Sequence, residues 1–63
     1  MEFKIREIRD ARNISQEELA RRSGVSRATI SGLENNPNAI TTTETLQKLA
    51  AALDVKVSDF LSA

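Results

Sequence analysis

Residues 16–35 read QEELARRSGVSRATISGLEN, and this stretch decides the fold. Ser15 stands just before it, and Glu18 follows three residues later. That spacing is a capping box, in which the serine hydroxyl accepts from a free backbone N–H while the glutamate reaches back. A helix over about 16 to 22 follows, with Leu19 and Ala20 facing inward. Gly24 closes it, because helices commonly end on a left-handed residue that glycine adopts without penalty. Ser26 is an N-cap candidate for the next helix, which runs to about Asn35 with Ile30 and Leu33 on one face. Two helices crossing steeply through a short turn need a small residue where their backbones approach, and Ala20 supplies it. Val25, Ile30 and Leu33 anchor the inner face of the second helix only.

The flanks extend this all-helical pattern. Ile5, Ile8, Ala11 and Arg12 follow helical spacing, giving a first helix from about residue 3 to 12, which Asn13 breaks. Asn35, Asn36 and Pro37 stop the helix that begins at Ser26, since proline disfavours helix in the residue before it. Residues 36–41 read as a loop. Thr41, Thr42 and Thr43 offer N-caps, and Thr41 with Glu44 forms a second capping box, for a helix with Leu46, Leu49, Ala50 and Leu53 inward and Asp54 at its end. Ser58 caps a short last helix, with Phe60 and Leu61 packing back. Val55-Lys56-Val57 alternates but is too short for a strand. The expectation is a single all-α domain over residues 1–63, a five-helix bundle.

Composition narrows the function classes. A chain of 63 residues is one small domain, and at this size only about 60% of the unfolded surface is buried. There is no cysteine and no histidine, which removes disulfides, thiolate metal sites, the usual metal ligand and the usual general base. No apolar run approaches a membrane span or signal-peptide core, so a cytoplasmic protein is expected. Glu17 and Glu18 point in different directions on a helix, and the threonines at 41–43 have no base partner. No Gly-rich phosphate loop occurs. The chain reads as no enzyme, with no metal and no cofactor.

Net charge is zero, with 9 basic and 9 acidic residues, whereas nucleic-acid binders are usually basic. The distribution is uneven. Residues 1–32 carry seven basic side chains against five acidic, net +2, and residues 33–63 carry two against four, net −2.

The outer face of the helix from Ser26 shows Arg27, Ala28, Ser31 and Gly32, small or hydrogen-bonding residues suited to a DNA major groove. Here the chain resembles the Cro/repressor-type (XRE-like) helix-turn-helix proteins, a lambda-repressor-like fold, over nearly its whole length. Ile5-Arg6-Glu7-Ile8-Arg9 resembles the family's first helix, and Ser15-Gln16-Glu17-Glu18-Leu19-Ala20 its second. Gly24 through Asn35 resembles its turn and recognition helix. Thr45-Leu46-Gln47-Lys48-Leu49-Ala50 and Val57-Ser58-Asp59-Phe60-Leu61 resemble its fourth and fifth helices.

The resemblance implies sequence-specific binding of double-stranded DNA by a transcriptional regulator, a repressor in the first instance, of prokaryotic or phage origin. It places Gln16 and Asn35 at phosphate contacts, and Arg27, Ala28 and Gly32 where bases are faced. It pairs Arg9 with Glu34. Gly32 departs from the family in having no side chain to read with, leaving it silent or a point of close approach. The loop Asn36 to Ile40 lacks the basic residues with which some members clamp phosphates.

Plainer roles stand beside these. Arg27 is either a contact to base or phosphate or a solvated charge. Thr29 and Ser31 touch phosphate, a thymine methyl or only water. Ser26 is an N-cap with or without a DNA contact, and Gln16 is a phosphate contact or a neutral first-turn residue. Arg21 and Arg22 pair with Glu17 and Glu18, and Lys4, Arg6 and Arg12 read as surface charges. A lone module of this charge binds weakly, so a homodimer on a palindromic operator is expected, with recognition helices about 34 Å apart. Val57, Phe60 and Leu61 are candidates for the dimer contact or, equally, for closing the monomer core. The alternative class is a protein-interaction subunit, antitoxin-like or co-repressor, with DNA binding lost or secondary.

Overall fold

The computed structural model describes residues 4–36 and 40–61. Four α-helices follow in order: α1 (Ile5–Ala11), α2 (Gln16–Ser23), α3 (Arg27–Asn35) and α4 (Thr43–Leu53). A single 3-10 turn, Val57–Phe60, comes last. Apart from an isolated bridge at Leu61, no strand occurs among the described residues. The all-helical expectation stands, but the fifth helix does not. Its backbone closes Asp59 N–H onto Lys56 C=O and Leu61 N–H onto Ser58 C=O, at 2.9 and 3.2 Å. These are i to i+3 bonds, a pattern rarely sustained beyond one turn.

Most ends fall where local chemistry puts them. Asn13 adopts φ 57° after α1, and Asp54 adopts φ 57° after α4, left-handed values that short polar side chains tolerate. Gly24 closes α2 at φ 75°. Ser15 and Ser26 each accept from the backbone N–H three residues on, Glu18 at 3.0 Å and Thr29 at 3.2 Å. α1 begins at Ile5, after Lys4, instead of near residue 3, and Pro37 lies outside the described residues.

Three capping expectations are corrected. Glu18 does not reach back to Ser15, because its carboxylate is held by Arg21 and Arg22 instead, and two guanidinium groups outbid one backbone N–H. Glu17 takes no part in that cluster. The cap of α4 is Thr42, not Thr41, and Thr42 accepts from Thr45 N–H at 3.2 Å. That shift leaves Glu44 to face Lys48 at 3.5 Å. Ser58 lies inside the last turn, and Asp59 caps it by accepting from Lys56 N–H at 2.9 Å.

The core gathers Ile5, Ile14, Leu19, Val25, Ile30, Leu33, Leu46, Leu49, Ala50, Leu53 and Phe60. α2 packs on α3 and α4, α1 leans on α3, and the last turn sits on α4. Phe60 is fully buried, and burying such a side chain is worth about 1.5–3 kcal/mol. It therefore closes the monomer core. Its carbonyl accepts from Lys4 N–H at 2.9 Å, tying the last turn to the entry of α1. Val57 packs partly against the same core, and Leu61 is 40% exposed.

Candidate nucleic-acid interface

The crossing of α2 and α3 is built by the residues that predicted it. Ala20 is half-buried against the core, Gly24 makes the left-handed turn, and Val25 is buried directly after it. Ile30 and Leu33 then fix the rotation of α3 by burying its inner face. The opposite face is thereby turned outward. Arg27, Ala28, Thr29, Gly32 and Asn35 are exposed, and Ser31 is half-buried. Ser26 and Thr29 pair their hydroxyls at 2.8 Å at the start of α3, where Ser26 also caps. Among the described residues, Arg27 has no hydrogen-bond or ion-pair partner. A Cβ built on Gly32 meets nothing within 4 Å, so nothing among the described residues requires glycine there.

Glu34 sits behind this face with its side chain fully buried. Arg9 from α1 grips it with two bonds, Nε to Oε2 at 2.9 Å and Nη2 to Oε1 at 3.0 Å. The third arm of Arg9, Nη1, donates to the Ile14 carbonyl at 2.8 Å. Gln16 donates from Nε2 to Glu34 Oε1 at 3.0 Å. Burial alone would push the Glu34 carboxyl up, but the hydrogen bonds from Arg9 and Gln16, the Arg9 charge and Arg6 outweigh it. Its pKa lies below the ordinary glutamate value. The same hydrogen bond to Glu34 overcomes desolvation and raises Arg9. Arg9 and Glu34 are thus paired as the sequence implied. Gln16 is oriented as well: a carboxylate only accepts, so the amide must turn its NH2 group inward, and its second N–H stays available.

Arg6 is the residue that sequence reasoning missed. Read as a surface charge, it reaches Glu34 Oε1 at 3.3 Å and Asn35 Oδ1 at 2.7 Å. Asn35 in turn donates from Nδ2 to Ser31 Oγ at 3.1 Å. The available signal was its position three residues before Arg9, on the same face of one helix. The structure thus joins Gln16, Asn35 and Ser31 through one polar network. It joins Ser26 to Thr29, and leaves Arg27, Ala28 and Gly32 outside both. Glu18 is held by Arg22 and Arg21, which lower its pKa, on an exposed part of α2 away from this network.

An exposed, small-residued helix face locked at a fixed crossing to a preceding helix is the frame of a helix-turn-helix protein, and the chain belongs to that family, which it matches over residues 5–60. The Cro/repressor-type resemblance stands with it. The chain is 41% identical over 59 residues to the uncharacterized HTH-type transcriptional regulator RghRB of Bacillus subtilis (strain 168). The match covers 94% of this chain and 42% of that regulator, so the chain spans about two fifths of its relative's length. Its fold is similar to that of the restriction-modification controller protein C.AhdI from Aeromonas hydrophila, with a TM-score of 0.81 at 36% identity. That likeness covers 89% of this chain and 83% of the controller.

Proposed function

We propose that this chain is a DNA-binding transcriptional regulator that lays α3 in the major groove of a specific site and acts as a repressor. One observation carries the reading: α3 buries Ile30 and Leu33 while its opposite face, Arg27, Ala28 and Gly32, is exposed and has no task among the described residues. Arg27 presents guanidinium donors to base edges, and Ala28 and Gly32 let the backbone come close. Ser26 and Thr29 sit at the helix N-terminus, where backbone N–H groups favour a phosphate. Gln16, with its free N–H, and Asn35 fix register on the phosphates. Binding needs no cofactor and no catalysis.

A single protomer with zero net charge gains little from counterion release, so two copies on a palindromic operator supply the affinity, in the cytoplasm of a prokaryotic or phage-infected cell. Of Val57, Phe60 and Leu61, the exposed Leu61 is the one left for that pairing once Phe60 is committed to the core and Val57 packs against it. The test is fluorescence anisotropy of mixed-sequence duplexes across a salt series. Affinity should fall with a log–log slope of about −0.9 for each phosphate engaged. No binding at low salt refutes the reading and favours the protein-interaction alternative, which the zero net charge also supports. Sedimentation with and without duplex checks the second copy.

A further inference from the structure

The network that holds Asn35 has a direction, and the direction follows from chemistry. Arginine has five N–H donors and no acceptor. At 2.7 Å from Arg6 Nη2, the Asn35 amide must therefore present its oxygen to α1 and its NH2 group to the other side. That group meets Ser31 Oγ at 3.1 Å, and the hydroxyl must accept. With one lone pair engaged, the Ser31 hydroxyl proton is left to donate. No described acceptor takes it, neither the carbonyl one turn back nor a side chain. The second Asn35 N–H is likewise a donor.

Arg6 is not required to neutralise Glu34, because Arg9 already grips that carboxylate with two bonds. The Arg6 contact to Glu34 is also longer, 3.3 Å, than its contact to Asn35. On the proposal that α3 enters the major groove, we infer that Arg6 is a positioning residue for base reading. Held from α1, Asn35 turns onto Ser31, so that this part of α3 offers hydrogen-bond donors and selects base edges that offer acceptors. Guanine presents O6 and N7 and thymine presents O4, whereas the cytosine edge presents an amino donor. Adenine also presents N7, so Ser31 admits guanine, thymine or adenine and disfavours cytosine on the strand it faces.

Selection from a pool of duplexes with a randomised centre tests this, run with the wild-type chain, Ser31→Ala, Arg6→Met and Arg6→Lys. The base pair whose preference Ser31→Ala flattens is the one Ser31 reads. Arg6→Met keeps the apolar stem and removes the donors, and should flatten the same base pair by about threefold to tenfold, the worth of one net hydrogen bond. Arg6→Lys, which keeps a donor toward Asn35, should restore much of the preference, a rescue that a merely structural role does not predict. The Arg6 side chain is 53% exposed, so these variants should fold, and thermal melts verify that.

In the free protein, the Asn35 side-chain amide signals in a nitrogen-15 spectrum should shift in both Arg6→Met and Ser31→Ala. Uniform weakening of all sites by Arg6→Met with preferences intact overturns the inference and makes Arg6 a phosphate contact. So does cytosine enriched opposite Ser31, or an Asn35 signal unmoved by either substitution. A wild-type chain that enriches no sequence refutes the DNA reading itself, and the inference falls with it.

Discussion

The two glycines should respond to the same substitution with opposite signs. A Cβ at either Gly24 or Gly32 meets nothing within 4 Å, so packing does not distinguish them and the backbone does. Gly32 lies inside α3 with ordinary helical φ, where glycine is less favourable than alanine by about 0.8–1.0 kcal/mol. Gly32→Ala should therefore stabilise the fold by about 0.5–1 kcal/mol, a rise in melting temperature of about 3–8 °C for a domain this small. Gly24 holds φ 75°, where an L side chain costs roughly 1–2 kcal/mol, and Gly24→Ala should lower the melting point by a comparable amount. Circular-dichroism melts of the two variants decide this. A destabilising Gly32→Ala, or two shifts of one sign, refutes the argument. The functional half is read on the same proteins by duplex anisotropy. The new methyl projects from the outer face of α3, so Gly32→Ala should bind DNA about tenfold more weakly despite folding better, a penalty within the range for overpacking a contact. Unchanged affinity would remove Gly32 from the interface.

Arg9→Met strips the buried Glu34 of its main partner and should cost about 3 kcal/mol by denaturant titration, the low end for breaking a buried pair because Gln16 and Arg6 remain. The double change Arg9→Met with Glu34→Leu should recover much of that loss, and a single-variant loss below about 1 kcal/mol would mean the pair is effectively solvated. Because the folded chain lowers the Glu34 pKa, the unfolded chain takes up that proton first as pH falls. The stabilisation is complete above the ordinary glutamate range, about 4.3, and is lost as pH drops through the lower folded value. Melts from pH 6 downward should show this limb, and Glu34→Gln should flatten it. Thr42→Ala should cost about 1 kcal/mol through loss of the N-cap while Thr41→Ala costs little, and equal losses in thermal melts would contradict the register of α4.

The parts of this fold that were legible in the sequence are those decided by neighbours along the chain. Ser15, Gly24 and Ser26 act within one helical turn, so their spacing sufficed, and the helical period of Ile30 and Leu33 set the outward face of α3. What stayed hidden needs distance or degeneracy. Three consecutive threonines offer equivalent hydroxyls, so pattern could not choose Thr42 over Thr41. A four-residue segment has too little period to separate an α turn from a 3-10 turn at Val57–Phe60. Phe60 could serve a dimer or a core until its burial was known. Arg6 meets Asn35 across 29 positions, and its one local sign, a place three residues before Arg9 on the same helix face, does not say which partner it meets.

Zero net charge and the DNA-binding face proposed for α3 are reconciled by where the charges are used. Glu44 faces Lys48 and the two cancel, whereas Glu18 is shared by Arg21 and Arg22 and leaves one positive charge in excess on α2. At the contact of α1 with α3, Arg6 and Arg9 face the buried Glu34, and the exposed Asp10 stands 3.3 Å from Arg9, so the charge there balances and the half-exposed Arg6 is the cation held beside Asn35. Arg27, unpaired among the described residues, adds a cation in excess on α3. Fields at physiological salt fade over about 8 Å, so a phosphate at this face meets the local excess rather than the chain's balance. An excess this small can orient a duplex but engages few phosphates, which implies a shallow salt slope for one protomer and a slope about twice as steep when two bind together.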